Sequence, residues 1–165
     1  MLRLFFALPC PPAIAVQIDA WRSHLAIPGR PVPSANLHLT LAFLGHLPET
    51  TLPLLEGLPP QLPLHELAFS LQADRLDCWQ GGLLHLAPSQ PPVELLALAD
   101  GLAGLLADAG LPSEPRAYRP HLTLARDSGL PGHIGSPRFI WRAEELVLYR
   151  SEQGRYLPLV IWPLG

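Results

Sequence analysis

The chain has 165 residues, of which 48% are hydrophobic and 15% charged, a balance that fits a folded globular protein and excludes a largely disordered one. Its net charge is −3, and all 11 basic residues are arginine. The first property disfavours a long nucleic-acid groove, which needs many basic contacts, but leaves room for a short RNA end or a nucleotide; the second excludes a lysine nucleophile or phosphate clamp.

In chain order, residues 2–8 read as a short buried strand, stopped by Pro9, Pro11 and Pro12 before it reaches the length of a signal-peptide apolar region. Pro12 suits the first turn of a helix over residues 12–25, with Ile14, Ile18, Trp21 and Leu25 as its apolar stripe. A proline-rich loop over 28–34 leads into a strand over 37–44 that ends at Gly45, followed by proline-rich connections through Pro63. Residues 67–72 and 75–79 read as a strand pair, with a turn at Gly81-Gly82.

The second half runs in the same order: a strand over 83–87, a proline break, and an apolar helix over 93–109. Leu95, Leu98, Leu102, Leu105 and Leu106 form the buried side of that helix, and Gly110 is its stop. A loop through Tyr118 and Pro120 then reaches a strand at His121, and strands over 138–142 and 145–150 match the earlier pair. A last strand over 156–162 follows. The expected fold is α+β: one bilobal domain over 1–165, with pseudo-symmetric lobes of roughly 1–82 and 83–165. Each lobe is read as an antiparallel sheet with a helix on its outer face. Cys10 and Cys78 are too few and too far apart for a disulfide framework, and no apolar run approaches 18 residues, so a cytoplasmic setting with no membrane association is expected.

The repeat carries chemistry. His-Leu-Thr-Leu-Ala occurs at 38–42 and again at 121–125. In a strand, His and Thr two positions apart share one face while the leucines pack behind. Two such strands facing a common groove supply two imidazoles and two hydroxyls. A neutral histidine can take a proton from water, a protonated one can give a proton to a leaving oxygen, and the hydroxyls can bond the oxygens where charge accumulates. This chemistry calls for no metal, and the sequence has no HExxH and no cysteine pair for zinc. His24, His46, His65, His85 and His133 show no such pairing and read as surface or loop residues.

These motifs resemble those of the 2H phosphoesterases, and within them the bacterial and archaeal RNA 2′,3′-cyclic phosphodiesterases, also called 2′-5′ RNA ligases. The resemblance covers nearly the whole chain and rests on RLFFAL (3–8), PSANLHLTLAFLG (33–45), RPHLTLAR (119–126) and LYRS (148–151) with Tyr156 and Trp162. It implies metal- and cofactor-independent hydrolysis of a 2′,3′-cyclic phosphate on an RNA 3′ end or nucleotide to a 2′-phosphate, with weak reverse 2′-5′ joining. By position it makes His38 the proton donor, His121 the proton acceptor, and Thr40 and Thr123 the phosphate-binding hydroxyls. The two motifs themselves do not distinguish donor from acceptor.

Arg126 and Phe43 each stand five residues after a motif histidine. In a regular strand that odd offset points away from the site; the family pattern brings the arginine in, which requires a twist or bulge at the strand end. Arg126 and Phe43 are therefore candidates for stacking on a base or neutralising phosphate. Tyr118 and Arg119 are placed either on the cleft wall or on a loop surface. A monomer without an obligate protein partner is expected. Other readings keep the fold but change the substrate, to ADP-ribose 1″,2″-cyclic phosphate or a 2′-5′ oligonucleotide, or remove the chemistry and leave a nucleotide-binding module.

Overall fold

Strand β1 (Leu2–Pro9) is buried from Leu4 to Leu8, as its continuous apolar run requires, and the computed structural model describes the whole chain, residues 1–165. Helix α1 (Pro12–Ser23) starts on proline and buries Ala15, Ile18 and Arg22. It ends before Leu25, so that residue drops out of the expected stripe. The loop after it contains a two-residue strand, β2 (Arg30–Pro31), and leads to β3 (His38–Leu47), which continues through Gly45 instead of ending there. The proline-rich connection contains a short helix, α2 (Leu52–Glu56), opened by Pro53 within its first turn.

Strands β4 (Phe69–Ala73), β5 (Arg75–Trp79) and β6 (Leu83–Ala87) precede α3 (Val93–Asp108). Leu95, Leu98, Leu102 and Leu106 of α3 are fully buried, and Gly110, at φ 71°, turns the chain out of the helix. The chain closes with β7 (Leu122–Arg126), β8 (Phe139–Ala143), β9 (Glu145–Glu152) and β10 (Arg155–Pro163).

The segments read as consecutive strand pairs do not pair with each other. Only Asp74 separates β4 from β5, and only Glu144 separates β8 from β9, which is one residue fewer than the tightest common hairpin loop. At each of these corners the chain instead passes from one sheet to another. β4 pairs with β8, their inward residues Phe69, Leu71, Ala73 and Phe139, Trp141, Ala143 alternating with exposed ones. β5 pairs with β6, and β9 with β1 and β10.

The remaining strands form one sheet rather than two, in the order β10-β9-β1-β3-β7-β6-β5, with β2 on β7. Exchanging β1 with β6, β3 with β7 and β5 with β9 reverses the order of the six strands β9-β1-β3-β7-β6-β5 onto itself, and exchanging β4 with β8 preserves the small sheet. The two motif strands, β3 and β7, are antiparallel neighbours at the middle of the large sheet, joined by the single pair Leu39–Leu122. Both strands bulge just beyond that pair, and the extra twist of a bulge turns them apart before a longer ladder forms.

Candidate active site

The position of the site follows from two register shifts. Phe6 pairs with Ala42 and Ala7 with Thr40, so Leu41 of β3 is an extra residue there; a second extra residue, Leu44, follows beyond Phe43. Leu84 pairs with Ala125 and His85 with Thr123, so β7 has its extra residue at Leu124, the same place in the repeated pentapeptide. Each bulge reverses the alternation of side chains beyond it. Burial records the reversal, since Leu124 and Ala125 are consecutive and both fully buried. Arg126 thereby joins the face that carries His121 and Thr123. Phe43, paired with Phe5, joins the face that carries His38 and Thr40. The geometric objection raised by the five-residue spacing is removed at both ends.

The His38 ring is fixed by hydrogen bonds at both nitrogens. Its Nδ1 lies 2.6 Å from the carbonyl oxygen of Asn36, which can only accept, so Nδ1 carries a proton. Nε2 lies 2.8 Å from Oγ1 of Thr40. The ring packs against Phe5 at 5.1 Å and against the edge of Tyr156 at 5.2 Å, and Tyr149 stacks on the far side of Phe5. The aromatic residues of β1, β9 and β10 thus hold one imidazole in place.

His121 precedes β7 and uses the same device: Nδ1 donates to the carbonyl of Arg119 at 2.8 Å, which leaves Nε2 as the nitrogen able to accept a proton. Its surroundings differ. The Trp79 ring stands T-shaped to it with centroids 4.5 Å apart, and the His85 ring centre lies 5.7 Å away. Trp79 also touches His85 at 4.2 Å, and the guanidinium of Arg119 lies over its ring at 4.5 Å. His85, read from sequence as a surface or loop residue, is only 3% exposed and sits in the middle of β6. Its Nδ1 donates to the carbonyl of Leu83 at 3.1 Å, which satisfies one polar atom of a ring that β6 carries inward.

A cavity of about 700 Å³ opens on this face, lined among others by Thr40, Phe43, Trp79, Tyr118, Arg119 and His121. Tyr118 is a wall residue, half-buried, and its hydroxyl donates to the carbonyl of Thr40 at 3.0 Å, tying the loop before the second motif to the strand of the first. Phe43 is 52% exposed, with the Arg3 guanidinium 4.9 Å from its ring centre. Arg126 is exposed at the end of β7, where Gly29, at φ 87°, allows the β2 turn to approach the Arg126 carbonyl; a Cβ there would lie 2.2 Å from that oxygen.

Burial pushes His38 below the ordinary imidazole range, and the charges of His121 and Arg126 push the same way, against the hydrogen bond to Asn36. Burial likewise lowers His121, reinforced by the charges of His85, Arg119 and Arg126. Both rings are therefore neutral near pH 7 in the free protein, and each feels Arg126. Of the residues singled out in the sequence, His38, Thr40, Phe43, His121, Thr123 and Arg126 share one sheet face. Trp79, His85, Phe5, Tyr149 and Tyr156 complete their surroundings; Trp79, Phe5 and His85 carried no local signal of that role, because strand pairing alone brings them there.

The 2′-5′ RNA ligase superfamily pattern matches residues 10–155. The RNA 2′,3′-cyclic phosphodiesterase of Escherichia coli strain K12 is 38% identical over 98% of this chain and 96% of its own length. The protein of the same name from Thermus thermophilus is 32% identical over 92% of this chain and 82% of its own. The crystal structure of E. coli LigT complexed with 3′-AMP superposes with a TM-score of 0.89 at 35% identity, covering 99% of this chain and 98% of that one. The chain belongs to the 2′-5′ RNA ligase superfamily, as a homologue of the bacterial RNA 2′,3′-cyclic phosphodiesterases.

Proposed function

We propose that this protein hydrolyses 2′,3′-cyclic phosphates on RNA 3′ ends or nucleotides to 2′-phosphomonoesters, with His121 as proton acceptor and His38 as proton donor. The observation that carries the reading is the matched pair of imidazoles on one sheet face. Each has its Nδ1 bonded to the carbonyl two residues before it, and so keeps Nε2 for proton transfer. The solved E. coli relatives in complex with 3′-AMP, ATP and phosphate support a nucleotide or phosphate ligand.

In this mechanism His121 Nε2 takes a proton from water as the water oxygen attacks phosphorus. The bond from phosphorus to the ribose 3′ oxygen breaks, and that oxygen receives the proton held on His38 Nε2. Thr40 and Thr123 bond the non-bridging oxygens. Thr40 exchanges its bond to His38 for one to phosphate, and the anionic substrate supplies the negative charge that favours a protonated His38 against its burial. Replacing water with the 5′ hydroxyl of a second strand gives 2′-5′ joining by the same proton transfers. The two motif strands, one from each half of the chain, lie side by side beneath one groove, and the chain acts as a single bilobal domain.

The test is turnover of a 2′,3′-cyclic mononucleotide in the presence of EDTA, with phosphorus NMR of the product. A 2′-monoester is expected. A 3′-monoester exchanges the histidine roles, and loss of turnover in chelator with recovery on added zinc overturns the metal-free mechanism.

A further inference from the structure

The two pentapeptides are identical, yet the rows of side chains that flank them across the sheet are not. On the first-half side, Val147 of β9 pairs with Ala7 of β1, and Ala7 with Thr40: a buried apolar row leading to the first threonine. The corresponding row on the other side is Asp77 of β5, His85 of β6 and Thr123 of β7. Paired residues in an antiparallel sheet point to the same face, so a carboxylate, an imidazole and the second threonine stand side by side. Ala7 and His85 occupy equivalent places, and the chain has put a titratable ring beside one motif and a methyl group beside the other.

We propose that His85 is a positioning residue that keeps His121, rather than His38, the proton acceptor of the pair. Facing Asp77 and packed with Trp79, it accepts the first proton that reaches this end of the site and so keeps His121 unprotonated. The inference rests on the proposed two-histidine mechanism and adds the reason that its two identical motifs take different roles.

Burial pushes His85 below the ordinary imidazole range, and Arg119 and Arg75 add to that, against the hydrogen bond to Leu83 and the Asp77 carboxylate opposite, which favour its protonated form. Trp79 fills the space on the third side, contacting both imidazoles. His121 is faced by His85, Arg119 and Arg126, all cationic or able to become so, and by no carboxylate among the groups that shift it. A proton arriving from acid solution therefore meets a carboxylate across the strand pair at His85, itself held by Arg75 at 3.6 Å, and none at His121. Once His85 is charged, with its ring 5.7 Å from that of His121, a second proton is disfavoured. His38 has no third imidazole or carboxylate beside it; its neighbours Phe5 and Tyr156 are uncharged rings.

The acidic limb of kcat/KM reports the proton acceptor of the free enzyme. His85→Phe retains a buried ring and removes the charge; Asp77→Asn removes the carboxylate and leaves the histidine. Both substitutions are expected to move the acidic limb to higher pH while the alkaline limb stays in place. Two unit charges at this separation correspond to a shift of roughly 0.5 to 2 pH units between the dielectric of water and an effective value of about 20. The Cε1 proton of His121, followed by NMR in the same variants, should titrate at correspondingly higher pH. Asp77 is partly exposed, so its variant keeps the test valid if His85→Phe fails to fold. A wild-type enzyme with two clear limbs whose acidic limb moves in neither variant overturns this inference alone. Movement of the alkaline limb instead overturns it together with the assignment of His121 as acceptor, and a wild-type protein with no turnover removes the mechanism beneath both.

Discussion

Leu41 and Leu124 stand in the same relation to their neighbouring strands: each is the unpaired residue of a β-bulge, one position after the threonine of its motif. That relation brings Phe43 and Arg126 onto the histidine face, and it makes the candidate site depend on the backbone around two leucines.

If the histidines carry proton transfer, His38→Ala and His121→Ala should each lower kcat by about 10²- to 10⁴-fold. Thr40→Val and Thr123→Val should cost less, each removing one hydrogen bond to the phosphoryl group. Thr40→Val should cost more than Thr123→Val, because Thr40 also holds Nε2 of His38 at 2.8 Å. Steady-state kinetics on a cyclic mononucleotide ranks the four; equal loss from both threonines contradicts the orienting role of Thr40.

Arg126 depresses proton binding at both His38 and His121. Its removal therefore raises both, and Arg126→Gln should move the acidic and the alkaline limbs of the pH profile upward together. Phe43→Ala, by contrast, should raise KM for substrates with a base, by roughly 5- to 150-fold if base stacking contributes about 1–3 kcal/mol, and leave both limbs unmoved. A pH profile for each variant separates the two roles.

The bulge at Leu124 has its own support. Arg22 is 4% exposed within α1, and its Nη1 donates to the carbonyl of Leu124 at 2.8 Å and to that of Val32 at 2.6 Å, while Nη2 bonds Asp19. Arg22→Met retains the apolar stem but takes the donor from the half-buried Val32 carbonyl and leaves the Leu124 carbonyl with only the Val32 amide, at a cost of about 1–3 kcal/mol for an unsatisfied group. The expected result is a lower urea midpoint with unchanged slope, and a reduced kcat under conditions where the variant is fully folded. An unchanged kcat would confine Arg22 to stability.

The local periodicities announced α1, α3 and most strands, because an apolar stripe or a buried run is written within a dozen residues. The pairing of β4 with β8 is not written there: Phe69 and Ala143 are partners through a sheet formed by opposite halves of the chain. The corner at Asp74 was not legible either: strands read over 67–72 and 75–79 leave two residues between them, enough for a hairpin, and only the observed extension of β4 to Ala73 narrows the gap to one. The histidines and threonines were legible because the sequence repeats them. His85 was not, since nothing near it in sequence reveals that β5 and β7 flank it with Asp77 and Thr123. The need for a bulge before Arg126 was legible, but its place at Leu124 was not.

Burial lowers proton affinity at His38, His85 and His121 in the folded state. The unfolded chain, with ordinary histidines near 6.5, therefore binds more protons as the pH falls. Their contribution to stability is fully present above that value and is lost as pH falls through it towards the depressed folded values. Thermal midpoints should decline between about pH 7.5 and 5, and His85→Phe should make the decline shallower. A midpoint independent of pH across that window would contradict the depressed proton affinities.

Substrate length supplies the last test. The charge of −3 and the absence of lysine concentrate cationic contacts near the site, where Arg119 lies over Trp79 and Arg126 acts on both motif histidines. An RNA that meets only these arginines neutralises about one to three phosphates, and its binding constant should fall with salt at a slope near −0.7 per phosphate. Short oligonucleotides, and even cyclic mononucleotides, should then be turned over nearly as well as long RNA, with little base preference, since a stacking ring such as Phe43 accepts any base. Fluorescence anisotropy with 3-mer and 20-mer RNA across a salt series measures both the slope and its dependence on length. A slope that steepens in proportion to RNA length would mean that the protein tracks the upstream backbone, and the arginines outside the site, Arg30 and Arg75 among them, would then have to be counted as part of the RNA surface.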